Sequence, residues 1–378
     1  MSKNNNFWSI GILIVSIIIM TIVSFHFLSQ QEREPIVAGP GVTKVEKLSK
    51  YFAGIKDSPG DTDVYFLEGE RAGGTAFVFG GVHNIEPAGI ISAVFLVENA
   101  IVKEGRLIII PRANETGATH NDPSEGYPSK FYIKTEWGER WFRFGSRVTN
   151  PIYQWPDPTV YVHYQSGQKL SDSDARDLNR AFPGRPDGTL TQKVAYAITE
   201  LIRTEKADMT VDLHEARPMS PIVNVIVAPE KSQSIAALAT IDLELDGIKI
   251  RLEPSPEKMR GISHRELADH TDTLSFLMET PNPMMDKLRG RSTAELILTG
   301  KDDFFAKAYA RKLLYVPYDN EKGIPLELRV GRHLTSFLIL TKIFSEFNPD
   351  KPIVIENVPD YATIQEKGLG YFLLEPKE

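Results

Sequence analysis

Two histidines and a glutamate stand where a metal ion could use them. His83 and Glu86 lie three residues apart in GGVHNIEP (residues 80–87), directly after the apolar run GTAFVFGG, and His214 closes the run MTVDLH far downstream. A turn after a strand can aim an imidazole nitrogen and a carboxylate at one point, and a second imidazole at the end of another strand can meet them there. Two His and one Glu leave the fourth position of a tetrahedral zinc ion open, which is the pattern of a catalytic rather than a structural centre. Hydrogen-bonded structural histidines following two strands fit the same spacing, so the three residues alone leave both readings open. Three more residues add weight. RDLNRAFPG sets Asn179 and Arg180 side by side, and a guanidinium is a planar fork that matches a carboxylate. FLMETPNP puts Glu279 inside an apolar run, where a carboxylate is costly to bury without a partner or a task. Glu279 is therefore a candidate general base with a raised pKa.

Such residues need elements to hold them. After GTAFVFGG, residues 87–104 place Ile90, Ile91, Val94, Phe95, Val97 and Ile101 at near-helical spacing. RLIIIPRAN is a continuous apolar run that stops at a proline, as strands buried on both faces do. ADMTVDLHEA and TLSFLMETPNP repeat that run. In TLTQKVAYAITELI, Thr189 and Gln192 sit three apart like a capping box ahead of an apolar face, and a last long helix is expected over Leu326–Phe347. Strands alternating with helices predict an α/β fold with a mostly parallel mixed sheet flanked by helices. In such sheets ligand sites gather beyond the carboxyl ends of the strands, so His83, Glu86 and His214 are expected on one rim. Residues 114–169, rich in Pro, Gly, Trp and Tyr, are too many for an ordinary connection and predict loops over a site. Trp137, Trp141 and Trp155 fit either a cleft wall or loop packing. His120, His163, His264, His270 and His333 are expected as surface or hydrogen-bonded residues.

Composition bounds the rest. With 43 basic against 50 acidic residues and no basic block to track a phosphate backbone, nucleic acid is not an expected partner. The chain of 378 residues has no cysteine, which excludes disulfides and thiolate metal sites. Any transition metal must then be held by His, Asp or Glu. Residues 7–28, FWSIGILIVSIIIMTIVSFHFL, carry no Asp, Glu, Lys or Arg. At about 1.5 Å per residue they would cross a ~30 Å hydrocarbon layer. The expectation is one uncleaved N-terminal transmembrane helix in the cell membrane, single-pass, with the bulk of the chain extracytoplasmic. A signal peptide, whose cleavage would leave a secreted or periplasmic protein, is the alternative, and a buried core helix is a third. The expected division is an anchor or signal at 1–30, a lead-in at 31–60, a catalytic domain at 61–348 and a tail at 349–378.

The order H-x-x-E, D-L-N-R-x-F, D-L-H and a late E-T on a strand resembles the zinc carboxypeptidases of the M14 type. Within that group it is most similar to the succinylglutamate desuccinylase and aspartoacylase branch, over about residues 75–347. The resemblance implies a zinc carboxypeptidase-like α/β/α sandwich and one zinc ion per chain held by His83, Glu86 and His214. It further implies that Asn179 and Arg180 grip the substrate carboxylate and that Glu279 is the base that activates water. It also implies an arginine that stabilises the oxyanion; Arg112, Arg143, Arg147 and Arg176 lie in the right interval, with Arg147 the candidate. An insertion of about forty residues, 284–322, separates Glu279 from the last helix, and pocket walls change with such loops. The function expected is a membrane-anchored, extracytoplasmic, zinc-dependent amide hydrolase that removes a residue next to a free carboxylate, with envelope or cell-wall peptides as substrates. The substrate alternative is an N-acyl amino acid, cleaved by a desuccinylase- or aspartoacylase-like deacylase. A catalytically silent binding module on the same fold is the alternative of another class, against which every ligand and base position is filled.

Overall fold

The computed structural model describes residues 3–122, 127–285 and 288–376, so 286 and 287 of the 284–322 insertion and 123–126 of the long 114–169 stretch lie outside the described residues. The chain begins with α1 (Lys3–Ser29), whose apolar side chains from Phe7 onward are exposed. That exposure removes the buried-core alternative. Phe7–Ser29 is long and apolar enough to be a membrane span, and an export signal near the N-terminus passes the same test.

The strands follow as β1 (Lys44–Lys47), β2 (Asp63–Glu68), β3 (Arg71–Phe79) and, after helix α2 (Pro87–Asn99), β4 (Ile101–Ile110). Two hairpins, β5 (Lys130–Thr135) with β6 (Gly138–Arg143) and β7 (Tyr161–Val162) with β8 (Lys169–Leu170), occupy the long loop region. Then come α3 (Leu190–Glu205), β9 (Met209–Ala216), β10 (Val225–Ala228), α4 (Gln233–Leu245), β11 (Arg251–Pro254), α5 (Ser263–His270) and β12 (Leu274–Pro281). The short helices α6 (Ala294–Thr299) and α7 (Asp303–Ala310) lie within the insertion, followed by α8 (Leu326–Phe347), β13 (Val354–Glu356) and α9 (Tyr361–Lys367). Among the described residues one nine-stranded sheet runs β1-β2-β4-β3-β9-β12-β10-β11, with β13 added to β4. Its centre, β4-β3-β9-β12, is parallel throughout; β1, β2, β10 and β13 supply the antiparallel pairings. This is the expected mixed α/β sheet with helices on both faces.

Side chains alternate across a pleated strand, and that alternation sorts the two cores. Ala76, Val78, Leu107, Ile109, Met209, Val211, Leu213, Phe276 and Met278 pack with α2, α4 and α8. Phe77, Phe79, Ile108 and Ile110 pack the other way, against Val194, Ile198 and Leu201 of α3. On β9 the intervening residues Thr210, Asp212 and His214 therefore face away from α2 and α8. The helix expected over 87–104 is shorter than its spacing suggested. It stops at Asn99, and Ile101 opens β4, where the β-branched pair Ile101 and Val102 favours strand. Thr189 caps α3 with Gln192 reaching back, the expected box, and α8 has the expected bounds.

Two segments expected to lie outside the domain are part of it. In the lead-in, Glu34 is 5% exposed and ion-paired with Arg112 and Arg143. Burial raises its pKa, but the two guanidinium groups outweigh burial and hold it at about 2. The expected tail packs Ile364, Leu369 and Leu373 into the α2–α8 core. Both meet at the buried pair Glu98–Arg140, 2.6 Å apart. Glu98 accepts the N–H groups of Val37 and Leu374, while Arg140 donates to the carbonyls of Pro35 and Leu374. Short segments without periodicity gave no sign of this, because a buried charge is stable only with partners that lie far off along the chain.

Candidate active site

Parallel β3 and β9 are neighbours, so their carboxyl ends reach one rim. Beyond β3 the chain turns at Gly81, whose φ of +65° and whose missing Cβ, which would stand 2.8 Å from Arg112 Cα, make glycine necessary. The turn delivers His83 and then Glu86, which stands at the N-cap of α2 ahead of Pro87. Asn282 Nδ2 donates to Ile85 O at 2.7 Å, and the Glu215 carboxylate accepts Ala88 N–H at 2.9 Å, so this loop is fastened from two sides. Glu215 itself is buried against Arg329 of α8 at 2.8 Å; burial nevertheless raises its pKa to about 7.

The three expected ligands converge. His83 Nδ1 lies 2.7 Å from one oxygen of Glu86 and His214 Nδ1 lies 2.9 Å from the other, with all three side chains buried. One donor atom from each lies within 4.8 Å of the other two. The far nitrogens are held by carboxylates: His83 Nε2 by Asp177 at 3.0 Å and His214 Nε2 by Asp212 at 2.8 Å. A carboxylate on the outer nitrogen fixes the imidazole tautomer and ring orientation and makes the inner nitrogen a better ligand. Two imidazoles so oriented, one carboxylate and no thiolate fit a zinc ion. His214 stands two residues inside β9 rather than at its end. Burial disfavours its charge, yet Asp212 and Glu86 keep its pKa well above the ordinary histidine value. Burial likewise opposes the charge on Glu86, but the two imidazoles hold it well below the carboxylate range.

Glu279 sits directly opposite His214 in the β12–β9 register and, like His214, faces away from α2 and α8. Burial, aided by the charges of Glu86 and Asp212, pushes its pKa to about 8 against the pull of His214 and Arg147. Its Oε2 is buried without a hydrogen-bond partner among the described residues. Asn179 gives its carboxamide oxygen to Ser263 N–H at 2.8 Å, which leaves its N–H pair to donate. Arg180 follows in the same turn, its side chain one-fifth exposed and its nearest carboxylate, Asp174, 3.9 Å away.

Of the four arginines, only Arg147 adjoins the ligands. Its Nε donates to Asp177 at 2.9 Å and its Nη1 is 3.7 Å from Glu86. Arg112 and Arg143 are paired with Glu34, and Arg176 with Asp157 at 2.8 Å. Asp177 and Asp212 stood in the quoted D-L-N-R and D-L-H motifs without a role, and Ser263 went unnoticed in the sequence. Ser263 opens α5, bonds Asp212 through its hydroxyl and Asn179 through its N–H, and so joins the His83–Glu86–His214 cluster to the Asn179–Arg180 turn. The D-x-H spacing could have revealed Asp212, because residues two apart on a strand share a face. No such rule links Asp177 to His83.

Of the other histidines, His264 departs from expectation, with neither ring nitrogen hydrogen-bonded among the described residues, whereas His333 is hydrogen-bonded to Thr280 as expected. His264 and His333 are buried, and burial pushes both pKa values down to about 3, so they are neutral. His163 is hydrogen-bonded as expected, to Ser166 and Phe182 O, and His270 pairs with Glu266. Trp141 packs under Lys130 and Trp137 donates to Leu373 O, whereas Trp155 is 73% exposed.

Asp177→Asn and Asp212→Asn are each expected to weaken zinc binding 10- to 100-fold, roughly the usual effect of removing such a support, with the helical content unchanged. Competition with a chromogenic chelator measures this. Wild-type affinity in both variants would show that the aspartates do not orient the ligands.

Residues 161–270 match the family described as the succinylglutamate desuccinylase/aspartoacylase catalytic domain, so the resemblance seen in the motifs holds over the segment carrying Asn179, Arg180 and His214. A curated relative, N-alpha-acetyl-L-2,4-diaminobutyric acid deacetylase of Halomonas elongata, is 29% identical over 119 residues, 32% of this chain and 32% of that protein. The chain thus spans about a third of the length of the curated relative it matches. Among solved structures, the product-bound ectoine utilization protein EutE (DoeB) of Ruegeria pomeroyi is 21% identical, with a TM-score of 0.34 over 58% of this chain and 53% of that one. The tripeptide-bound cell shape determinant Csd4 of Helicobacter pylori is 11% identical, with a TM-score of 0.48 over 80% and 59%.

Proposed function

We propose that the chain is a zinc-dependent amide hydrolase that cleaves next to a free carboxylate, carboxypeptidase-like, on envelope peptides. The observation that carries this reading is the buried His83–Glu86–His214 donor set with Glu279 in register beside it. A zinc ion held by those three residues would polarise a scissile carbonyl and acidify a water. The chain's own residues do the rest. Arg180 receives the substrate carboxylate on its fork, with the Asn179 N–H pair beside it, and so sets which bond faces Glu279. Glu279 takes a proton from the attacking water and returns it to the leaving amine. Arg147, held by Asp177 and facing Glu86, supplies positive charge where the carbonyl oxygen becomes negative.

The match of residues 161–270 favours a second substrate class, N-acyl amino acids, on the same machinery. The full-length chain in detergent, with and without chelator, should be given short peptides, muropeptides and N-acyl amino acids. Chelator-sensitive release of a terminal amino acid from peptides alone supports the first reading, and release of acyl groups alone supports the second. Inactivity on the whole panel with zinc loaded would favour the silent module. Arg180→Lys keeps the charge but loses the fork, so it should raise KM for free-acid substrates with zinc content intact, and amidated substrates should already be poor for the wild type. Equal turnover of amidated and free-acid substrates would remove Arg180 from this role.

A further inference from the structure

We propose that the loop of residues 150–156 is a membrane-contact loop, seated in the interface of the same bilayer that α1 crosses. This rests on reading α1 as a span. Gln31 lies two residues beyond the end of α1, and its side chain is bound twice: it donates to Thr119 O at 3.2 Å and accepts Tyr153 OH at 3.0 Å. Asn150 reaches the same point, donating to Thr119 Oγ1 at 2.9 Å. The next residues give no slack. Glu32 pairs with Lys130, Arg33 with Glu115, Glu34 with Arg112 and Arg143, and Pro35 and Val37 are held by Arg140 and Glu98. No free tether separates helix from body, so the face of the protein at Gln31 is fixed where α1 leaves the hydrocarbon.

That face carries the apolar side chains an interface would take. Ile152 is 71% and Trp155 73% exposed on either side of the anchored Tyr153. Residues 150–164 contain no Lys or Arg, and their one acid, Asp157, is paired with Arg176. Tryptophan and tyrosine concentrate at the headgroup level, where an amphipathic ring satisfies both phases, and exposed Trp beside Ile in an uncharged loop is costly in water. The same loop leads to the site. Thr149 N–H donates to Arg176 O at 2.8 Å, and Arg147 reaches Asp177. Membrane contact at Trp155 would thus hold the mouth of the active site at the bilayer surface.

The chain lacks cysteine, so single labels are clean. The full-length protein in lipid nanodiscs should carry a nitroxide in turn through Ile152→Cys, Trp155→Cys, Ile17→Cys in α1, and Leu245→Cys at the end of α4, on the β10–β11 side of the sheet. Relaxation by oxygen, which enters lipid, is compared with relaxation by a water-soluble nickel chelate. Labels at 17, 152 and 155 are expected to be oxygen-accessible and several-fold less nickel-accessible than the label at 245. If 17 is in lipid but 152 and 155 match 245, the loop proposal is overturned and the anchor stands. Nickel access at 17 overturns the anchor reading and this inference with it. Labels at 152 and 155 shielded from both reagents would mark a dry protein contact instead and would also overturn it.

Discussion

His214→Ala is expected to strip the chain of zinc. Metal analysis of the wild type after exhaustive dialysis should find close to one zinc per chain, and the variant close to none. The reason lies in how few donors there are. On the proposed reading, two imidazole nitrogens and one carboxylate, each buried, would be the ion's protein ligands, so losing one should weaken binding by orders of magnitude. The loss reaches further than one bond. His214 is bound by both Glu86 and Asp212, so its removal also leaves Asp212 without its imidazole and Glu86 with one imidazole instead of two. Because those carboxylates keep His214 protonated against the effect of burial, zinc loading of the wild type must displace a proton, and its affinity should rise with pH. Full zinc occupancy in His214→Ala would mean that the centre is elsewhere.

Glu279→Gln separates proton transfer from metal binding. Glutamine keeps the size and hydrogen-bonding capacity of the side chain but cannot accept a proton, so turnover should fall by at least ~10²-fold, within the range of general acid-base catalysis. Zinc content and KM should hardly change, because Glu279 contacts neither Glu86 nor an imidazole nitrogen in the hydrogen-bond network and sits across the strand pair from His214. Without a metal ion, burial and the nearby acidic charges raise its pKa to about 8; the positive charge of a bound zinc ion would pull it back down, toward a carboxylate free to accept a proton near neutral pH. Glu86→Gln should behave differently, losing zinc and activity together. If Glu279→Gln turns over normally with zinc bound, or recovers simply on adding zinc, the role belongs to another residue.

Much of this site could be seen before any fold was known. His83 and Glu86 follow a strand three apart, Glu279 is a lone carboxylate in an apolar run, and Asn179 and Arg180 are adjacent; each is a local pattern, legible over a few residues. The same holds for the capping box of α3 and the bounds of α8, where residues within one or two turns settle the outcome. The N-terminal apolar helix is legible for a similar reason, since length and composition alone decide whether a helix is long and apolar enough to cross a membrane, a pattern that a span and an export signal share.

What the tertiary structure decided depends on contacts between residues far apart in the chain. The parallel register of β3, β9 and β12 brings His83, His214 and Glu279 to one rim, and no local period carries that register. Four arginines lay in the right interval, with Arg147 the candidate, and it is the packing of Glu34 and Asp157 against the other three that leaves Arg147 beside Glu86. Asp177 supports His83 across 94 positions, and Glu98 with Arg140 binds the lead-in and the terminal segment together. A buried charge is stable only where its partner lies, and that place is set by how the chain folds back on itself rather than by its neighbours in sequence.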